Sequence, residues 1–312
     1  MYYYRLYGLN AASIFKIPDA ELSEIPNVYG DIDVTVKFGG MSQDFMNDKR
    51  LVQLSATWFF LVSDPQHFFM RCNGFDFEIS AGSSVVIDAN GQDCGGANMI
   101  TYLLGSAFGV VGIQRGLVPI HGASVKYGDS VAIITGISGS GKSALQNELV
   151  LRGYKYLADD VTMAVIENGR PFALPSYPQR KIPSYPAMPD PGHGVVLKRV
   201  ESGRDKYFIR NISEWADEKL PLSCIIELRP ARDAAGFPTV VEIRGIKGHA
   251  SFNMLVRNLY RPHFSSVIGI PPLRLKMLLG IVSSVSAYQA VFPSEGHYIK
   301  ETAELIIQKC LI

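Results

Sequence analysis

The stretch that most constrains this chain runs from Val131 to Gly153. Val131–Thr135 is an apolar, β-branched run that predicts a buried strand. It is followed by Gly136-Ile137-Ser138-Gly139-Ser140-Gly141-Lys142-Ser143, a full match to the pattern G-x-x-x-x-G-K-S/T. The glycines let successive backbone N–H groups turn inward around phosphate oxygens. Lys142 would then supply a point charge to the outer phosphates, and the Ser143 hydroxyl a ligand for Mg²⁺. A helix is expected from Lys142 to Arg152, with Leu145 and Leu149 on one face and Gly153 as its stop. Its N-terminus adds a favourable dipole for an anion. Strand, loop and helix together predict a nucleotide site.

Tyr154–Ala158 reads as a short strand ending in Asp159-Asp160. A strand that ends beside a phosphate loop places its last side chains at the ligand end of the sheet. Two carboxylates there divide naturally into one that holds Mg²⁺ and one that takes a proton from an acceptor hydroxyl.

With these residues in place, the chain resembles the catalytic domain of bacterial HPr kinase/phosphorylase. The likeness lies in His121-Gly-Ala-Ser124, ITGISGSGKS, LRGY and LADD, in that order, from His121 to Asp160. It implies an α/β fold of the HPr-kinase and phosphoenolpyruvate-carboxykinase type and ATP-dependent phosphorylation of a serine hydroxyl. By the family's pattern Asp159 matches the catalytic base, His121 the histidine beside it, and Asp160 the carboxylate near the metal. The chain departs from that pattern at Ala144, where the family carries glutamate, and it has no R-P-G-R-N stretch, which in the family accompanies phosphorylase activity. Its N-terminal third does not resemble the family's regulatory domain. LPSYPQRKIPSYP and FNMLVRNLYRP are similar to segments of the lasso-peptide precursor kinases, which implies a peptide or protein partner bearing an acceptor serine. A kinase of a small molecule or of an HPr-type carrier shares every residue named, and a nucleotide-binding regulator without transfer would need no base. The family also implies a homo-oligomer, to which no residue of this chain points.

The remainder of the chain is read against this core. Its 312 residues suffice for two domains. We divide them into a β-rich domain at 1–96, for substrate or partner contact, and a kinase domain at 97–312. Thirty Lys and Arg against 29 Asp and Glu leave no electrostatic case for nucleic acid or an anionic membrane. Cys72, Cys94, Cys224 and Cys310 are dispersed, which argues for reduced thiols in a cytoplasmic protein and against a zinc site. The N-terminus lacks the pattern of a secretory signal.

Short β-prone runs are expected at Tyr2–Tyr7, Ile32–Phe38, Trp58–Val62, Phe68–Cys72, Phe75–Ile79 and Ser84–Ala89, with a tight hairpin at Asn73-Gly74. Gly95–Gln114 carries no charge, yet its Asn, Thr, Ser and Gly content favours a core helix of the kinase domain over a membrane span. A strand at Val118–His121 follows it. Val161–Glu167 and Arg170–Leu174 form a hairpin about Asn168-Gly169. The proline-rich segment 175–194 reads as a loop that could act as a lid, with Arg180 as a transition-state or acceptor contact. Arg204, Lys206 and Arg210 read as surface charges. Strands are expected at Leu222–Leu228, Val240–Ile243 and His297–Ile299. Helices are expected around Phe252–Leu259, from Pro272 to Gln289 and from Thr302 to Cys310. Arg257 and Arg261, four apart, read as an exposed basic stripe.

Overall fold

Alternation of β-branched and aromatic residues with polar ones in the N-terminal third does produce strands, and they pair into one sheet. The structure is a computed structural model that describes residues 1–26, 30–42, 44–93, 97–183, 195–199, 206–231, 240–264, 272–293 and 298–312. Cys94, Arg204 and the prolines at 186, 189 and 191 lie outside the described residues. The chain forms two units, Met1–Pro119 with Arg261–Leu273, and Ile120–Tyr260 with Arg274–Ile312. The division therefore falls near residue 120 rather than at 97, and the first unit takes back a later segment.

In the first unit, β1 (Tyr2–Leu6), β2 (Leu9–Ser13), β3 (Val34–Phe38), β4 (Val52–Ser55), β5 (Trp58–Asp64), β6 (His67–Cys72), β7 (Phe75–Ser80) and β8 (Ser84–Asp88) form an eight-stranded sheet. Its order is β1-β2-β3-β8-β7-β6-β5-β4. Asn73 and Gly74 both have positive φ, as the expected two-residue hairpin requires. Sequence reading missed β2 and β4; LNAAS and VQLS have weak strand propensity and owe their conformation to their partners.

The charge-free segment is helical, as α1 (Ala97–Tyr102), a π-helical turn (Leu103–Ala107) and α2 (Phe108–Gln114). It belongs to the first unit, whereas the sequence reading assigned it to the C-terminal domain. The Tyr7 hydroxyl donates to the Leu104 carbonyl at 2.9 Å, and Gln114 bonds Gly82 N–H and the Ile79 carbonyl. An apolar helix needs a sheet to cover it, and the nearer sheet in sequence supplies the cover. No helix among the described residues is long and apolar enough to cross a membrane.

The second unit is built on β9 (Val118–Tyr127), β10 (Ser130–Gly136), α3 (Lys142–Leu151), β11 (Lys155–Ala158), β12 (Val161–Glu167) and β13 (Arg170–Leu174). There follow β14 (Arg180–Pro183), β15 (Val195–Arg199), β16 (Lys206–Arg210), β17 (Leu220–Ala231), β18 (Glu242–Ile246), α4 (His249–Arg257), α5 (Pro272–Ser284), β19 (Ser286–Pro293) and α6 (Ile299–Cys310). The main sheet runs β10-β9-β12-β13-β17-β19-β18, and pairing of β10 with β17 closes its first five strands into a ring. β10, β17 and β19 are mutually parallel, with Gly136, Leu228 and Ala290 in register. On one face Ala132, Ile134, Ile226 and Ala290 meet Leu145 and Leu149 of α3 and Ala303, Ile306 and Cys310 of α6. Each fully buried Leu or Ile contributes roughly 1.5–3 kcal/mol, so this layer fixes α3 behind the loop. β14, β16 and β15 form a separate three-stranded sheet.

Three expectations are corrected here. The helix from Pro272 ends at Ser284, and Ser286–Pro293 is a strand whose Tyr288, Val291 and Phe292 suit its place beside β17. Residues 180–183 of the supposed loop are a strand. The expected strand at 297–299 falls partly outside the described residues, and Ile299 already opens α6. Cys72, Cys224 and Cys310 are buried free thiols.

Candidate active site

The site forms where β10 gives way to α3. Gly136, Gly139 and Gly141 all have positive φ, and Gly141 precedes α3 without a side-chain cap. The amides of the first helical turn therefore face the loop without a capping side chain. Lys142 is buried, and its ammonium donates to the carbonyls of Gly136 at 2.8 Å and Ile137 at 3.0 Å. The loop is thus folded about its own lysine. The Ser140 hydroxyl is buried with no hydrogen-bond partner among the described residues.

β11 is antiparallel to β9, which is antiparallel to β10, so β11 points the same way as β10 and carries Asp159 and Asp160 to the loop. The two carboxylates share Lys181, through its main chain and its side chain, and otherwise have different partners. Asp159 is buried; its Oδ1 accepts from Ser143 Oγ at 3.4 Å, and its Oδ2 accepts from the Lys181 backbone N–H at 2.5 Å. Asp160 has φ +72°, a left-handed conformation uncommon outside glycine. Its Oδ1 lies 3.7 Å from His121 Nδ1 and its Oδ2 lies 3.3 Å from Lys181 Nζ. Burial disfavours the Lys181 charge, but the carboxylates of Asp160 and Asp159 more than offset that and hold its pKa above the usual lysine value.

His121 is held at both ends of its peptide unit. Its N–H donates to the Asn258 carbonyl at 2.8 Å, and its carbonyl accepts from Thr135 Oγ1 at 2.7 Å. Nδ1 also lies 3.1 Å from the Asp160 carbonyl. It stands within β9, which continues to Tyr127, rather than at a strand end. Behind it, Glu227 of β17 is buried and accepts from Arg257 at 2.7 and 2.5 Å, Asn258 at 2.9 Å and Gln289 at 2.8 Å. Burial raises the Glu227 pKa, but these bonds from Arg257, Asn258 and Gln289 outweigh it and set the carboxyl below its usual value.

The structure thus brings together His121, Lys142, Ser143, Asp159 and Asp160. Arg180 is not among them. Its side chain is buried, donating to Asn147 of α3 at 2.5 Å and Glu214 at 2.8 Å, with the guanidinium 5.8 Å from the Tyr156 ring centre. It is an anchor rather than a contact for a reacting group. Arg257 is tied to Glu227, and Arg261 lies beyond α4 with its guanidinium 4.4 Å from the Trp58 ring centre, so the two form no stripe. Lys181 and Glu227 were missed. For Glu227 a signal existed, a lone acid within the apolar run CIIEL.

The chain matches no protein-family model and no curated protein. Among solved structures, the Hpr(Ser) kinase/phosphatase from Coxiella burnetii is similar at 15% identity, over 61% of this chain and 93% of that one, with a TM-score of 0.32.

Proposed function

We propose that the chain is an ATP-dependent phosphotransferase that moves the γ-phosphoryl group to a serine hydroxyl of a peptide, a ribosomally made precursor being the acceptor the sequence resemblance favours. The observation that carries this reading is the convergence of Ser143, Asp159, Asp160 and His121 at the N-terminus of α3. A site that only bound nucleotide would need no second carboxylate supported by an imidazole.

Ser143 Oγ and the Asp159 carboxylate suit Mg²⁺, which takes oxygen donors. Among the described residues no group of three or more His, Cys, Asp or Glu side chains could hold a metal alone. Nucleotide phosphates and water would complete the coordination of Mg²⁺. When bound, it would neutralise charge on the β- and γ-phosphates.

In the proposed reaction the acceptor hydroxyl loses its proton to Asp160 while its oxygen bonds to Pγ and the bond from Pγ to the β,γ-bridging oxygen breaks, leaving ADP. His121 orients Asp160. Lys142 leaves its loop carbonyls for the phosphates. Family resemblance gave the base role to Asp159; the Ser143 and His121 distances favour the opposite division.

The test is transfer from γ-labelled ATP to serine-ended peptides, an HPr-type protein and a buffer control. Asp160→Asn is expected to bind Mg²⁺–ATP as wild type does and to lose transfer by about 100-fold or more. Asp159→Asn is expected to lose the Mg²⁺-dependent part of nucleotide affinity. Undiminished transfer in Asp160→Asn would refute the base assignment, and absence of ATP binding by wild type would refute the whole reading.

A further inference from the structure

Lys181 touches both members of the acidic pair, one through its main chain and one through its side chain. The contact is built rather than incidental. Its neighbour Arg180 is bolted to Asn147 of α3 and to Glu214, which fixes the start of β14 over the helix that follows the loop. Lys181 pairs in register with Phe208 of β16, whose ring centre lies 5.9 Å from the ammonium. Less than a quarter of its side chain is exposed, at 23%. A cation so held neutralises an oxygen that a divalent ion would otherwise be drawn to.

We propose that Lys181 is a resident counter-cation that keeps free divalent metal off the Asp159-Asp160 pair until a nucleotide draws its ammonium away from Asp160. This rests on the nucleotide reading above. A lone Mg²⁺ would have to displace an ion pair and shed water, which it does reluctantly. A nucleotide brings phosphate oxygens that offer Lys181 another partner and supply the missing metal ligands in one step. Binding would then be ordered, with nucleotide or the metal–nucleotide complex first and free metal excluded.

Mn²⁺ binding followed by electron paramagnetic resonance, without nucleotide, tests this on the full chain. Lys181→Met is expected to bind Mn²⁺ at least about tenfold tighter than wild type, the ammonium being gone. Lys181→Arg should stay near wild type, and Lys181→Met combined with Asp160→Asn should lose the gain. Lys181→Gln carries the same expectation as Lys181→Met should the latter fail to fold. Equal Mn²⁺ affinity in wild type and the neutral variants, or a gain that survives Asp160→Asn, would overturn the proposal. Binding of a fluorescent ATP analogue to wild type, measured with Mg²⁺ present, separates the two failures. If it is absent, the nucleotide reading fails; if it is present while Mn²⁺ affinity is unmoved, only the role of Lys181 fails.

Discussion

Gly136 and Gly139 lie in one loop and share a backbone preference, yet the structure assigns them different costs. Gly136 has φ +135° and Gly139 φ +85°, so alanine at either is strained. At Gly139 an added Cβ meets nothing within 4 Å, and Gly139→Ala should cost only the backbone term, about 1–2 kcal/mol. At Gly136 the same atom would lie 2.6 Å from the Leu228 carbonyl, 2.9 Å from Ser140 Oγ and 3.3 Å from the Leu228 N. Leu228 is main chain held in the parallel pairing of β10 with β17, so it cannot swing aside as a side chain would. Overpacking adds roughly 1–3 kcal/mol to the strain, so Gly136→Ala should destabilise by that same margin, about 1–3 kcal/mol, more than Gly139→Ala. Urea unfolding read through tryptophan fluorescence in a Trp58→Phe background measures this, since Trp215 donates to the Leu157 carbonyl at 3.1 Å and reports on the second unit. Equal losses, within about 0.5 kcal/mol, would refute the close-approach argument.

Arg180→Met should lower stability by about 3 kcal/mol by leaving Asn147 and Glu214 without their cation, read as a lowered Tm; an unchanged Tm would contradict the anchoring role. Glu227 has a depressed pKa in the folded state, so its contribution is present above the unfolded carboxyl value near ~4.3 and is lost as pH falls through the lower folded value. Glu227→Gln should therefore cost about 2 kcal/mol at neutral pH and progressively less below about pH 4, as compared by urea titrations at the two conditions.

The loop was legible because its determinants are local: glycines at turning points, a β-branched run before them and Leu145 and Leu149 one helical turn apart after them. Asp159-Asp160 was legible for the same reason, but the division between them was not. It depends on the left-handed turn at Asp160 and on partners 16 and 39 positions away. Arg180 and Lys181 are adjacent cations, and only the pairing of β14 with β16 decides which of them turns inward against α3. The helical pattern Leu275, Leu278, Leu279, Val282 and Val285 ran on past Ser284 because no glycine or proline marks its end. Contact with β17 makes the next residues a strand, and contacts across 62 positions are invisible to local pattern. The segment 97–114 was read correctly as a helix and assigned to the wrong sheet, since apolarity states a need for cover without naming what supplies it.

The buried side of α3 carries Gln146 and Asn147 beside the apolar Leu145, Leu149 and Val150. Gln146 donates to the carbonyls of Ser124 and Ala158, and Asn147 receives Arg180. These bonds pin the helix against sliding along its axis, because a shift of one residue would strand buried polar atoms. Transplanting only the eight-residue loop into a foreign strand–helix pair would therefore carry its spelling without its aim. A graft that is to hold the same orientation must bring Gln146, Asn147 and the strand bearing Arg180 with it.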